Sequence, residues 1–160
     1  MELLFINAHL MDPAAGLDQM GSLLCRDGRI AALCKEADQM ASEKTERIDC
    51  KGLILSPGLV DMHVHLRDPG FTEKEDILFG CRAAAAGGVT SLLCMPNTNP
   101  AIDSPDIIQY VLKKAERADA HVYPAGATRK GREGELSPDL AALKKAGAIA
   151  FSEGCRPSLY

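Results

Sequence analysis

The stretch "LVDMHVHLRDPG", residues 59–70, decides the fold. It is a mostly apolar run that follows a Pro-Gly pair and ends at Asp-Pro-Gly, a pattern typical of a strand between two chain breaks. Side chains alternate between the two faces of a strand. His63 and His65 are therefore predicted to point the same way, and Arg67 continues that face if the strand persists.

This histidine pair is a candidate metal site. Two imidazoles on one face can bind a single ion, and imidazole is a common ligand of zinc. In parallel α/β architectures ligands collect at the carboxyl ends of strands, which is where the pair lies. Taken alone, however, the spacing is weak evidence for a metal site and more often marks two hydrogen-bonded or exposed histidines, so the wider sequence must decide.

From residue 57 onward the sequence repeats a strand–loop–helix pattern. A helix is predicted over residues 74–86, closed by Gly87-Gly88. Two further helices are predicted to begin at Ser104-Pro105-Asp106 and Ser137-Pro138-Asp139. Apolar strands alternating with helices favour a parallel sheet with crossover helices. The four predicted strands are "LVDMHVHL", "VTSLLCM", "HVYPAGAT" and "AIAFSE".

Two architectures fit this pattern. One is a small open α/β sheet. The other is the first half of a closed (β/α)8 barrel, which usually takes ~250 residues. Residues 57–160 are too few for the whole barrel.

The first 56 residues lack this alternation and are predicted to form short strands. A hairpin is predicted at Asp27-Gly28, a second strand pair around a turn at Lys51-Gly52, and a polar loop over "ADQMASEKTE". A module this small needs something to pack on. The predicted domains are therefore residues 1–56 and 57–160.

Composition excludes several classes of function. A net charge of −4 and a pI near 5.5 argue against a nucleic-acid or anionic-membrane partner. No apolar run approaches the ~18 residues of a membrane span, and the start "MELLFINAHL" lacks the features of a signal peptide. Six cysteines without zinc-finger spacing indicate buried thiols in a cytoplasmic protein.

The central third of the sequence resembles dihydroorotases of the type I branch of the amidohydrolase superfamily. The resemblance rests on His-x-His-x-Arg-x-Pro-Gly at 63–70, "AAAAGGVT" at 83–90 and "MPNTNP" at 95–100, and it extends over the whole chain. It implies an α/β fold: about four β/α units, the first half of an amidohydrolase-type TIM barrel, preceded by a small β-sandwich module. Residues 1–56 would be part of a composite β-sandwich.

The resemblance also implies a reaction and a set of site residues. The reaction is the zinc-dependent, reversible cyclisation of N-carbamoyl-L-aspartate to L-dihydroorotate in pyrimidine biosynthesis, with one or two Zn²⁺ ions per complete site. His63 and His65 would be ligands of the more buried ion. Arg67 would bind the substrate carboxylate through a bidentate fork, and Asn97 through its amide N–H.

A third metal ligand is expected at the end of the fourth strand. Relatives commonly have an acid-acid-Gly sequence there, and "FSEGCRPS" offers Glu153 followed by Gly154. Glu153 is therefore the predicted ligand, with a loop acid as the alternative. Other branches of the superfamily use a carboxylated lysine, but no lysine here lies at a strand end.

Without the resemblance, plainer roles remain open for the other polar residues. Arg67 is compatible with a surface ion pair to Asp68 or Glu73, and Asn97 with a turn. Several remaining basic residues are predicted to be structural or solvated: His9, His121, Lys113-Lys114 and Lys144-Lys145.

The site predicted from these residues is incomplete. The family takes two more histidines and a general acid/base aspartate from later strands, whereas residues 154–160 contain neither residue type. We identify no catalytic acid or base here and expect a truncated chain that is inactive alone.

Two other functions compete with dihydroorotase. The first is an allantoinase or hydantoinase. The second is a non-catalytic scaffold for aspartate transcarbamoylase. A homo-oligomer is a further possible assembly.

Overall fold

The computed structural model describes residues 1–133 and 136–153. Its internal contacts divide the chain into two compact units, Met1–Pro57 and Gly58–Tyr160. The description below takes each unit by itself.

The first unit is a five-stranded sheet with one short helix. Strand β1 lies inside the sheet, whose order is β3-β2-β1-β4, and β5 also pairs with β1. The elements are β1 (Glu2–Asp12), β2 (Leu17–Arg26), β3 (Arg29–Leu33), α1 (Cys34–Met40), β4 (Glu46–Asp49) and β5 (Ile54–Leu55).

The hairpin predicted at Asp27-Gly28 is present. Arg26 lies opposite Arg29 in the antiparallel ladder, and both turn residues have positive φ, 52° and 74°. This is the backbone geometry that a two-residue hairpin with matching strand twist requires. Asp and Gly are the residue types that tolerate it.

Two predictions for this unit need correction. Strands β4 and β5 flank Lys51-Gly52 as expected, but both run parallel to β1 and pair with it in succession rather than with each other. The predicted polar loop is partly helical, because α1 extends to Met40. Helix formation buries Ala37 completely against Leu4 and Leu24, a tertiary contact that overrides the polar local sequence.

The second unit is a four-stranded parallel sheet, as the strand–helix alternation predicts. The strand order is β6-β7-β8-β9, and every adjacent pair is parallel. The elements are β6 (Leu59–Val64), α2 (Ile77–Ala86), β7 (Val89–Cys94), α3 (Pro105–Ala115), β8 (His121–Gly126), a 3₁₀ turn (Lys130–Arg132), α4 (Leu140–Ala146) and β9 (Ala150–Phe151).

Helices α2 and α4 begin at side-chain caps, whereas Ser104 before α3 makes no side-chain cap hydrogen bond. The Asp76 carboxylate accepts the N–H groups of Leu78 and Phe79 at 2.8 and 2.9 Å and so begins α2. Both α2 and α4 start later than predicted, because their caps are Asp76 and Asp139. The Ser137 hydroxyl instead donates to the carbonyl of Thr128 at 3.0 Å.

The core of the second unit consists of aliphatic side chains from its strands, loops and helices. Leu92 and Cys94 on β7 and Val122 on β8 are among its buried members. Burial raises the pKa of Cys94 to about 12 and that of Cys81 to about 11, so both thiols stay protonated. The five cysteines in the described part of the chain are all free thiols.

The outer strands of the second sheet are exposed. In β6, Leu59, Val60 and Met62 are 59%, 66% and 74% exposed. Strand β9, at the opposite edge, has a 36% exposed Phe151. Among the described helices, none combines the length and apolarity needed to cross a membrane.

We predict that this open apolar edge makes the purified 160-residue chain self-associate. Val60→Lys should raise the monomer fraction in sedimentation velocity, because a charge on an edge strand opposes strand pairing. Ala83→Lys adds the same charge at an exposed position of α2 and is the control. A wild-type chain that stays monomeric and unfolds in one sharp, reversible transition would contradict this prediction.

Candidate metal and substrate site

The two histidines lie at the carboxyl end of β6. One extra β6 residue is accommodated between the Asp61–Leu92 and Val64–Cys94 pairs, and the Asp61 carboxylate accepts the His63 N–H at 3.0 Å. His63 is exposed and His65 is partly buried. Their ring centroids are 5.1 Å apart in an edge-to-face arrangement, so the predicted pairing is present.

Asn97, in the loop that follows β7, contacts one histidine of this pair directly. Its Oδ1 lies 2.8 Å from His65 Nδ1. Register explains the meeting: Val64 lies beside Cys94 in the parallel ladder, so the segments just beyond these residues leave the sheet together. Two residues that are 32 positions apart in sequence thus belong to one site.

Two loops that carry the family signature are packed tightly together here. The Asn99 N–H donates to the Pro69 carbonyl at 3.0 Å. Gly70 has φ +95°, and a Cβ added there would lie 2.0 Å from the Asn99 carbonyl oxygen. Only glycine permits this approach, which accounts for the Gly of the Asp-Pro-Gly sequence.

Arg67 lies in the first of these loops. Strand β6 ends at Val64, so strand alternation does not reach Arg67, whose φ is +60°. Its carbonyl accepts the Phe71 N–H at 2.9 Å and closes a turn. Within the described residues Arg67 forms no ion pair with Asp68 or Glu73, so the surface ion-pair alternative does not apply.

Asp68 is the buried charge of this region. Its side chain is 0% exposed and accepts a hydrogen bond from Lys114 Nζ; the Tyr110 hydroxyl donates at 2.9 Å and the Ile77 N–H lies at 3.5 Å. Asp68 therefore ties the Arg67 loop to the start of α2 and to α3. The prediction that Lys114 is simply solvated was wrong: its side chain is only 30% exposed.

This ion-pair cluster is the feature that the sequence analysis missed. Tyr110 and Lys114 are four residues apart, which places them on one helical face, and that signal was available. Their shared partner was not predictable, because it lies in a loop 42 and 46 residues away. Asp68 raises the pKa of Lys114 through its hydrogen bond and charge.

Glu153 follows β9 and is 7% exposed. The Thr128 hydroxyl donates to its Oε1, and the Arg132 guanidinium donates to its main-chain carbonyl at 2.8 and 3.3 Å. No group of three potential metal ligands forms among the described residues, so Glu153 is not brought together with the two histidines. Its role as a metal ligand remains a prediction; Gly154 lies outside the described residues.

Two of the predicted ligands fit zinc. His63 and His65 supply nitrogen donors that suit the ion, with ring centroids close enough for one ion to bind both. Two donors are fewer than the three or more of a zinc site. His9, by contrast, is paired with Asp18 at 2.5 Å in the first unit, as expected for a structural histidine.

Solved structures define the class of fold. The L-hydantoinase (dihydropyrimidinase) from Arthrobacter aurescens matches 93% of this chain with a TM-score of 0.78 at 26% identity, over 32% of its own length. A D-hydantoinase matches 81% with a TM-score of 0.66 at 28% identity, over 28% of its own length. The parallel sheet of the second unit is thus the first part of an amidohydrolase-type barrel, and the fold class predicted from the sequence is confirmed.

Sequence relatives identify the family. The dihydroorotase of Syntrophus aciditrophicus is 47% identical over 98% of this chain, and that of Syntrophotalea carbinolica 46% over 98%. The family model described as dihydro-orotase-like matches residues 52–156. The chain belongs to the dihydro-orotase-like family. It spans 37% and 36% of the length of these two relatives.

We predict that Lys114→Met lowers the free energy of unfolding by about 2–3 kcal/mol, because it leaves the Asp68 carboxylate buried without a counter-charge. This is less than for a fully buried pair, since Lys114 is partly exposed. Urea unfolding in the Val60→Lys background, which is expected to be monomeric, measures the change. Exposed Lys113→Met is the matched control, expected within ~0.5 kcal/mol of the unsubstituted background. An equally large loss for Lys114→Met in an Asp68→Asn background would show that the charge pair is not the cause.

The same pair predicts a pH dependence. The folded pKa of Lys114 is above the unfolded value of 10.5, so its stabilising contribution is complete below pH 10.5 and is lost as the pH rises through the folded pKa. In the Val60→Lys background, the urea midpoint should therefore fall over this alkaline range. Lys114→Met should show a smaller fall, and an identical alkaline fall in both proteins would contradict the assignment.

Proposed function

We propose that this chain supplies the first strands and the first two metal ligands of a zinc-dependent dihydroorotase, which interconverts N-carbamoyl-L-aspartate and L-dihydroorotate. The observation that carries the proposal is the hydrogen bond between His65 and Asn97. It joins the two signature segments of the family, the His-x-His strand end and the "MPNTNP" loop. Sequence identity to named dihydroorotases supports the same reaction.

The substrate-binding residues in this proposal are Arg67 and Asn97. A guanidinium matches a carboxylate with two parallel hydrogen bonds, and an amide N–H adds a third. The position of Arg67 in a loop held by buried Asp68 supports this role, because a fixed main chain limits the conformations of the side chain. We assign no proton-transfer residue among the described residues.

The proposed cofactor is Zn²⁺, with His63 and His65 as ligands and Glu153 as the predicted third. Bound zinc supplies a Lewis acid and lowers the pKa of a coordinated water. This chain's residues would orient the ligand and the substrate: Asn97 holds the His65 ring, and Arg67 binds the carboxylate end of the substrate. The described thiols are all free, which favours a cytoplasmic location.

A hydantoinase is the second candidate, and the resemblance to two hydantoinase structures favours it. The two functions differ in what Arg67 would do. Dihydroorotate carries a free carboxylate that pairs with a guanidinium, whereas an unsubstituted hydantoin has none. The "MPNTNP" loop and Arg67 together therefore favour the dihydroorotase.

The third candidate is a scaffold without catalysis, such as a partner of aspartate transcarbamoylase. Intact His63, His65 and Arg67 favour a catalytic lineage over this reading. Stable co-purification with aspartate transcarbamoylase, without zinc by elemental analysis, would support the scaffold. A homo-oligomer is compatible with either function.

We predict that the 160-residue chain with zinc shows no turnover of carbamoyl-aspartate, because it supplies too few zinc ligands and no general acid. A chimera in which residues 1–153 replace the matching part of the Syntrophus aciditrophicus dihydroorotase should cyclise carbamoyl-aspartate. In that chimera Arg67→Met should lower kcat/KM for dihydroorotate by about 100-fold or more, since a charge-assisted pair contributes about 3 kcal/mol or more. Hydrolysis of hydantoin should change little.

Arg82→Met, at an exposed position of α2, is the control for loss of one guanidinium and should leave both rates unchanged. Robust turnover by the 160-residue chain would contradict the prediction that its site is incomplete. A folded, zinc-loaded chimera that hydrolyses hydantoin but not dihydroorotate would favour the second candidate instead.

A further inference from the structure

The hydrogen bond between His65 and Asn97 fixes which ring nitrogen carries the proton. Asn97 Oδ1 lies 2.8 Å from His65 Nδ1. An amide oxygen can only accept a hydrogen bond, so Nδ1 must donate. In a neutral imidazole with Nδ1–H, the lone pair is on Nε2. The contact therefore selects one of two tautomers.

We propose that Asn97 is a positioning residue for His65: its Oδ1 fixes the tautomer and the plane of the ring, and so presents Nε2 as the metal donor. This goes beyond the proposed binding of the substrate carboxylate, and its metal-binding consequence rests on the proposed function. A histidine ligand usually donates its second ring N–H to a fixed acceptor, and Asn97 is that acceptor here.

The loop that carries Asn97 is held firmly enough for this role. At its start, the Met95 N–H donates to the carbonyl of Val64, the last residue of β6, at 2.8 Å, which continues the β6–β7 pairing one residue beyond the end of β7. At its other end, the Asn99 N–H donates to the Pro69 carbonyl at 3.0 Å. Pro96 between them is fully buried. Asn97 is thus anchored on both sides to the segment that contains His65.

The two ends of one amide then serve two partners. Oδ1 is committed to His65, which leaves the Nδ2 donor as the end that suits a substrate carboxylate. Asn97 would couple the orientation of a metal ligand to the site of carboxylate binding. A turn-forming asparagine, the plainer reading of this residue, would make neither contact.

Two substitutions separate these roles. Asn97→Asp keeps an oxygen acceptor for His65 but replaces the N–H₂ donor with a second oxygen. Asn97→Ala removes both ends. Asn99→Ala, two residues along the same loop, is the matched control: the Asn99 side chain is exposed, and its main-chain bond to Pro69 is retained.

The first experiment reads the tautomer without any metal. The 160-residue chain is labelled with ¹⁵N-histidine, and its imidazole nitrogens are observed by magic-angle-spinning NMR, which tolerates self-association, at a pH where the rings are neutral. His65 is assigned by loss of its signals in His65→Gln. We expect protonated Nδ1 and unprotonated Nε2 in wild type, Asn97→Asp and Asn99→Ala, but a tautomer mixture in Asn97→Ala.

The second experiment measures zinc affinity by competition with a chelating dye, for the same substitutions made in the chimera with the Syntrophus aciditrophicus dihydroorotase, because that chimera restores the missing ligands. Asn97→Ala should bind zinc about 10–100-fold more weakly than wild type, the usual effect of removing such an acceptor. Asn97→Asp and Asn99→Ala should stay within about threefold of wild type. Circular dichroism checks that each variant is folded.

Distinct outcomes test the two proposals separately. A His65 with protonated Nε2 in wild type overturns the positioning role, as does a zinc affinity that falls equally in Asn97→Asp and Asn97→Ala. If Asn97→Ala does not fold, the His65 tautomer in wild type and the zinc affinity of Asn97→Asp still test the positioning role of Asn97. Absence of zinc binding in every protein, with the expected tautomer intact, would instead count against the proposed function.

Discussion

The parallel pairing of β6 with β7 is the constraint on which the rest of the site depends. Because Val64 and Cys94 lie side by side, both strands end at the same edge, and their loops leave the sheet together. This brings His65 within hydrogen-bonding distance of Asn97. Glycine at position 70 then allows the loops to close further, so that main-chain contacts hold what the strands have brought together.

A second layer of support comes from a buried charge. The Asp68 side chain is fully buried, and Lys114 and Tyr110 on α3 donate hydrogen bonds to its carboxylate. Removing a buried carboxylate from water costs more than an apolar side chain would, so stability alone does not explain an aspartate here. Its benefit is position: it fixes the main chain next to Arg67.

Much of this arrangement is predictable from sequence, and the exceptions have physical causes. Periodicity predicted the parallel strands and helices, and the two-residue spacing of His63 and His65 predicted that their rings lie close together. Contacts between loops were not predictable, since no local pattern encodes that Lys114 meets Asp68. The orientation of Arg67 was not predictable from strand alternation, because β6 ends at Val64. Beyond that residue the chain turns, and the main-chain conformation of Arg67 itself sets the direction of its side chain.

The central claim is that the ends of β6 and β7 form one part of a zinc site, with His65 oriented by Asn97. Anomalous diffraction at the zinc edge, from crystals of the zinc-soaked protein, tests it most directly. The account predicts a peak between His63 and His65, about 2.0–2.1 Å from His65 Nε2, with Nδ1 still bonded to Asn97. A zinc ion bound through His65 Nδ1, or found only at other residues, would contradict it.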